Sequence, residues 1–294
     1  MLTGIQSGAY FNDKDAYLPG WELSLSQASY RIAALGYSCM DYQNFVHTDT
    51  ELFNYSPAKF ASRLETEKRI IRNAGLSISQ THGPWRWPPR DSDASERAER
   101  LEKMTRSLEG TRLLDCRYMA VHPIMPYGPG NNPDPERFLQ LNLEFFSRLV
   151  QQAAKYEVTL CLENMPFPAL TLARPQEILD FVRILDSPWM RVCLDTGHCA
   201  VLGLSAADEA RRLGDSLAIL HVHDNDGRGD LHWAPYAGVT DWEDFSRALR
   251  QIGFNGVVSL ETDHRAVMPA SAKDNPEQGL AALAARIAGI GLHT

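Results

Sequence analysis

Eight short runs rich in β-branched and apolar residues recur along the chain, each followed by a longer stretch of helical periodicity. The runs are Leu2–Gln6, Tyr37–Asp41, Ser77–His82, Tyr118–His122, Val158–Glu163, Val192–Asp195, Ala218–His223 and Val257–Glu261. Helical patterns lie near 23–35, 57–74, 93–115, 134–156, 175–187, 205–214, 241–252 and 275–291. A run such as Val158-Thr159-Leu160-Cys161-Leu162 has no polar face, which suits a strand of a parallel sheet buried on both sides. Asn73-Ala74-Gly75 and Ile252-Gly253-Phe254 read as helix ends with a glycine just past the last turn. Pro57, Pro135 and Pro175 stand at helix starts, where a missing N–H costs little. Eight βα units in order predict an α/β fold, a single (β/α)8 TIM barrel over residues 1–294. A doubly wound open sheet is the alternative, but Gly4 and Gly8 alone do not make its glycine-rich fingerprint.

Composition narrows the function. The chain has 294 residues, enough for a sizeable core without staples. Lys and Arg number 29 against 37 Asp and Glu, a formal charge of −8, which disfavours non-specific polyanion and anionic-membrane binding. No apolar run reaches membrane-span length. Residues 1–15 carry neither a basic segment nor an apolar core, so they do not read as a signal peptide. Five cysteines without a CxxC pair predict a reduced, cytoplasmic protein with no zinc knuckle. GxSxG and P-loop motifs are absent from the sequence.

The ends of the runs carry the chemistry. They finish on His82, His122, Glu163, Asp195, His223 and Glu261, and in a barrel these ends converge on one face. Gathered carboxylates repel one another unless a cation or shared protons intervene. Glu163, Asp195, His223 and Glu261 form the most coherent metal set. Three oxygen donors and one imidazole suit Mn2+, Mg2+ or Co2+ and also accept Zn2+. Such a metal polarises a carbonyl and acidifies the neighbouring C–H, leaving Glu163 and Glu261 to act as acid and base. His221 and His223 share one side of their run. His223, nearer the C-terminal end, is the expected ligand, with His221 a layer deeper. His198, just past Asp195, and the pair Asp230 and His232 are additional candidate metal or substrate ligands, as are His82 and His122. Cys199 is expected to pack, and His47 to be a loop histidine. Asp41 is left between binding substrate and capping a helix. Trp85, Trp87, Tyr127, Trp233 and Tyr236 fall in loops at the same face, where rings stack on sugars. Tyr10, Phe11 and Trp21 are expected near the pocket mouth.

The motifs Leu162-Glu163-Asn164, Leu194 to His198, His221 to Asp226, Asp230 to His232 and Ser259 to Thr262 resemble, in this order, the sugar phosphate isomerase/epimerase superfamily. That group has a xylose-isomerase-like TIM barrel and includes endonuclease IV. Its ketose 3-epimerase branch implies one divalent metal, Mn2+ foremost, on Glu163, Asp195, His223 and Glu261. It implies proton transfer by Glu163 and Glu261 through an enediolate of a ketose or keto-sugar. His198 would then touch a substrate oxygen. Arg228 is the nearest candidate for a substrate-holding arginine, one residue short of the branch's spacing. A dehydratase or lyase on a keto-polyol or keto-glycoside starts from the same chemistry. The endonuclease IV branch implies three zinc ions on His82, His122, Glu163, Asp195, His198, His223, Asp230, His232 and Glu261, and abasic DNA as substrate. The acidic chain lacks the basic stripe such a duplex binder needs. The resemblance also implies a homo-oligomer. A non-catalytic sugar-binding barrel, the remaining alternative, predicts no bound metal.

Overall fold

The structure, a computed structural model, describes residues 1–11, 23–89 and 91–290. Its parallel strands are β1 (Leu2–Gln6), β2 (Cys39–Tyr42), β3 (Ser77–His82), β4 (Tyr118–Val121), β5 (Thr159–Glu163), β6 (Met190–Asp195), β7 (Leu217–His221) and β8 (Val257–Leu260). Each pairs with its sequence neighbour from β1 to β7, and β1 pairs with β8. β7 and β8 meet in a short parallel bridge, Val222 to Leu260, which brings the sheet to a nearly closed barrel. The expected (β/α)8 architecture is therefore what forms.

The helices are α1 (Leu25–Ala34), α2 (Pro57–Asn73), α3 (Ala94–Leu113), α4 (Pro135–Tyr156), α5 (Pro175–Leu185), α6 (Thr196–Val201), α7 (Ala206–Leu213), α8 (Trp242–Gln251) and α9 (Pro276–Ala288). Their ends follow local chemistry. Ser56, Asp134 and Asn275 accept a backbone N–H of the first turn, each directly before a proline at the first helical position. Gly75 and Gly253 take φ of +88° and +68°, the left-handed conformation that a chain leaving a helix requires. Helix α4 buries Phe138, Leu141, Phe145 and Leu149, spaced three and four apart, against the sheet. Each such side chain contributes about 1.5–3 kcal/mol of burial free energy.

Strand alternation positions the site. Leu160, Leu162, Val192 and Leu194 belong to the main core shared with the helices. Their neighbours Cys161 and Cys193 belong to a separate small cluster with Ala120, Ala218 and Ile219, which fills the barrel interior. A period of two then directs Glu163 and Asp195 inward as well, above the cysteines at the C-terminal mouth. Trp21, expected at that mouth, lies outside the described residues.

Four boundaries differ from the sequence reading in ways that matter. Strands β4 and β8 end one residue before His122 and Glu261, and β7 ends at His221 rather than His223. The segment after Asp195, which lies outside the expected helical patterns, is the short helix α6. Its N-cap is the Asp195 side chain, which accepts the His198 N–H at 2.6 Å. Six residues are too few for helical periodicity to register.

Candidate functional site

Register fixes the height of each inward group. Asp195 pairs with His221 across β6 and β7, so these two lie at one level. His223 stands two residues further out, roughly 6.6 Å at the usual strand rise. Accordingly Glu163, Asp195, His221 and Glu261 each offer one donor atom, all within 4.8 Å of one another. The expected set contained His223 in place of His221. His223 instead meets Asp195 and His198, and also His232 and Glu261, in two adjoining groups. Its Nε2 lies 3.0 Å from Asp195 Oδ2 and its ring stacks on His232 at 4.1 Å. Gly197 admits that ring: a Cβ there would stand 2.0 Å from His223 Cε1.

Around the four-residue group the distances are short. His221 Nδ1 is 3.1 Å from both Glu163 Oε1 and Glu261 Oε2, yet makes no hydrogen bond of acceptable geometry with either. Glu163 Oε2 faces the other way, 3.2 Å from His122 Nε2 and 3.6 Å from His82 Nε2, so this carboxylate bridges two groups. The third grouping joins Asp230 to His198 and His232, with Nε2 to carboxylate distances of 3.3 and 3.4 Å.

The tautomers of three histidines follow from their backbone partners. His82, His198 and His232 place Nδ1 2.7, 2.7 and 2.6 Å from the carbonyl oxygens of Gly83, Asn164 and Glu261. A carbonyl only accepts, so each Nδ1 carries the proton and donates. In a neutral ring Nε2 then holds a lone pair, and in all three it faces a carboxylate. Two acceptors face to face require a cation between them, whether a proton or a metal ion. The unpartnered buried atoms Glu163 Oε2, Glu261 Oε2, His221 Nδ1 and His223 Nδ1 point to the same need. The donor set therefore fits a divalent cation.

Electrostatics agree. Burial alone would raise the Glu163 carboxyl, but the imidazoles of His221 and His122 outweigh it and hold the group well below the usual carboxylate range. Burial opposes charge on His198, yet Asp195 and Asp230 lift its pKa to about 10. His232 is likewise opposed by burial and lifted to about 10 by Asp230 and Glu261. Burial dominates at His122 and pushes it down to about 4, so it is a neutral donor at pH 7.

The loops supply aromatic walls. Trp85 lies 4.6 Å from the His122 ring and 6.0 Å from Trp87, which is exposed and stacks on Phe167 at 5.8 Å. Trp233 pairs backbone to backbone with Asp224. Arg228 is exposed on the same loop, where its N–H donates to Asp226 Oδ1. Tyr236 turns away from the centre, donating to Glu243 and lying under Arg286.

Sequence reasoning missed Phe167, Asp224 and Cys193. Phe167 was visible as an aromatic just after the Glu163 strand end. Asp224 accepts from the N–H groups of Asn225, Gly238 and Thr240 and from Trp242 Nε1, which knots the His223 loop. Cys193 offers its sulfur beside Glu163 and His221, one layer below the mouth.

Among the described residues no helix is long and apolar enough to cross a membrane. The family model of the xylose isomerase-like TIM barrel matches residues 30–286. An uncharacterized protein of Methanocaldococcus jannaschii is 29% identical over 182 residues, 59% of this chain and 62% of that protein. A D-psicose 3-epimerase of Enterocloster bolteae is 22% identical over 270 residues, 88% of this chain and 83% of the relative. A crystal structure of D-psicose 3-epimerase, in the presence of D-fructose, superposes with a TM-score of 0.74 at 18% identity, covering 97% of this chain and 98% of the other. With the family match spanning most of the barrel, the chain belongs to the xylose isomerase-like TIM barrel family.

Proposed function

We propose that this chain is a divalent-metal-dependent isomerase or epimerase acting on a ketose or keto-sugar. The observation that carries the reading is the convergence of Glu163, Asp195, His221 and Glu261, with donor atoms within 4.8 Å, at the C-terminal mouth of the barrel. A divalent cation held by these residues would polarise the substrate carbonyl and acidify the adjacent C–H. Mn2+, Co2+, Mg2+ and Zn2+ all accept such a set.

Glu163 and Glu261 approach the centre from strands three places apart around the barrel. One removes the carbon-bound proton and the other returns a proton to the opposite face, giving the epimer. Return to the neighbouring carbon gives the isomer. Asp195 is held in place by the His198 N–H and by Asn164, whose side chain accepts the Asp195 N–H at 2.8 Å and donates to its carbonyl at 3.1 Å. His198, His232 and Arg228 meet substrate hydroxyls, and Trp85, Trp87 and Trp233 shelter the sugar from water. Relatives named as D-psicose 3-epimerases support the substrate class. Incubation with a panel of ketoses and Mn2+ tests it: a product of unchanged mass and inverted configuration is expected. Loss of water or of an aglycone assigns elimination instead, and no product from any ketose rejects the substrate class.

A second reading rests on the two flanking groups, His82–His122–Glu163 and Asp195–His198–His223 with Asp230 and His232 alongside. Three adjoining cation sites suit hydrolysis of a phosphodiester. Metal-dependent cleavage of an abasic duplex, abolished by chelation, would establish it.

A further inference from the structure

The metal reading uses one nitrogen of His221 and leaves the other unexplained. Nδ1 faces the carboxylates of Glu163 and Glu261, while Nε2 is fully buried without a hydrogen bond. Asp41 Oδ2, near the end of β2, lies 3.9 Å from that nitrogen. Asp41 is itself fully buried inside the barrel. Two amide donors aim its carboxylate: Gln43 Nε2 on Oδ1 at 3.0 Å and Gln80 Nε2 on Oδ2 at 2.9 Å. Gln80 Nε2 also lies 3.3 Å from the carbonyl of Leu220, the residue before His221. One side chain thus ties the carboxylate to the strand that carries the histidine. The helix-capping role that the sequence left open for Asp41 is taken by other residues in the described helices.

We propose that Asp41 is the positioning residue of His221, accepting its Nε2–H and so presenting Nδ1 as a bare donor to the cation. This inference rests on the metal reading of Glu163, Asp195, His221 and Glu261. Metal-bound histidines generally give their second N–H to a carboxylate or carbonyl, which fixes the tautomer and strengthens the donor nitrogen. A shift of about 1 Å converts the present separation into a hydrogen bond. Asp41 touches no reacting atom; it acts through His221.

The test uses Zn2+ as probe with the full chain, freed of metal by dialysis. Asp41→Asn keeps the shape of the side chain, and Asp41→Ala removes the acceptor. Each is expected to bind Zn2+ about 10- to 100-fold more weakly in calorimetric titration, with unfolding temperature near that of the wild type before metal is added. Nitrogen-15 spectra of histidine-labelled, Zn2+-loaded wild type read the tautomer directly, with His221→Asn identifying the signals. Metal on Nδ1 and a proton on Nε2 support the proposal, whereas metal on Nε2 overturns it even if both Asp41 variants fail to fold. Folded variants with wild-type Zn2+ affinity overturn it while leaving the metal centre intact. A wild-type protein that takes up no Zn2+ overturns the metal centre and this inference together.

Discussion

The Nε2 atoms of His82 and His122 lie 3.2 Å apart, and Glu163 Oε2 completes a tight triangle with them. The His82 tautomer is fixed by Gly83, so the gap holds a proton or a metal ion. With a metal ion in the triangle, His82→Ala loses one equivalent of divalent metal and keeps the one on Glu163, Asp195, His221 and Glu261. Elemental analysis after equilibrium dialysis against Zn2+ measures this. Equal stoichiometry in variant and wild type would show that the triangle holds a proton.

Register places His221, and not His223, level with Asp195. His221→Asn is therefore expected to weaken the site on Glu163, Asp195, His221 and Glu261 by at least about 100-fold, equivalent to roughly 2.7 kcal/mol. His223→Asn removes a partner of Asp195 Oδ2 and should cost about 10-fold or less at the same site. Competitive titration with a metal-sensitive dye ranks the two. The reverse order would restore His223 as the ligand.

Stability should depend on pH with a sign that metal alters. His198 and His232 have pKa values of about 10 in the metal-free fold, raised from the ordinary 6.5 against the pull of burial by Asp195, Asp230 and Glu261. Their stabilisation is complete below pH 6.5 and is lost as pH rises toward 10. His122, depressed to about 4 mainly by burial, acts oppositely, and its stabilisation is lost as pH falls from 6.5 to 4. Urea unfolding of chelator-treated protein is expected to show stability falling from pH 7 to 10, with Zn2+ lessening that decline. A metal-free stability that climbs from pH 7 to 9 would contradict these assignments.

Gly197 lies in the first turn of α6, where a methyl group would enter the His223 ring. Gly197→Ala is expected to cost roughly 1–3 kcal/mol by overpacking and to displace His223 from Asp195. Equilibrium urea denaturation measures the loss, and an unchanged midpoint would mean that the ring has room to move.

Much of this was legible in the chain because the barrel repeats one rule. Glu163 and Asp195 each close a run with no polar face, so their strand-end position followed from pattern alone. The choice between His221 and His223 did not. Both satisfy the same period of two, and the level of a residue in the barrel depends on its register with β6, which is a property of two strands together. Helix α6 escaped because it is shorter than two turns and its cap, Asp195, reads equally well as a strand end. Tyr236 was drawn to the site by its neighbours in sequence, whereas Arg286 and Glu243, distant or on the next helix, hold it elsewhere. Phe167 entered the mouth through contact with Trp87, a pairing between loops that no local signal encodes.

The central claim is metal-dependent carbon–hydrogen proton transfer by Glu163 and Glu261, and hydrogen exchange tests it most directly. Ketose is incubated in D2O with wild type, with Glu261→Gln, and with chelator-treated wild type, and deuterium beside the carbonyl is followed by NMR. Deuterium should enter with the metal-loaded wild type, slow by at least about 100-fold in the variant, and cease without metal. Exchange that survives both chelation and Glu261→Gln would contradict the account.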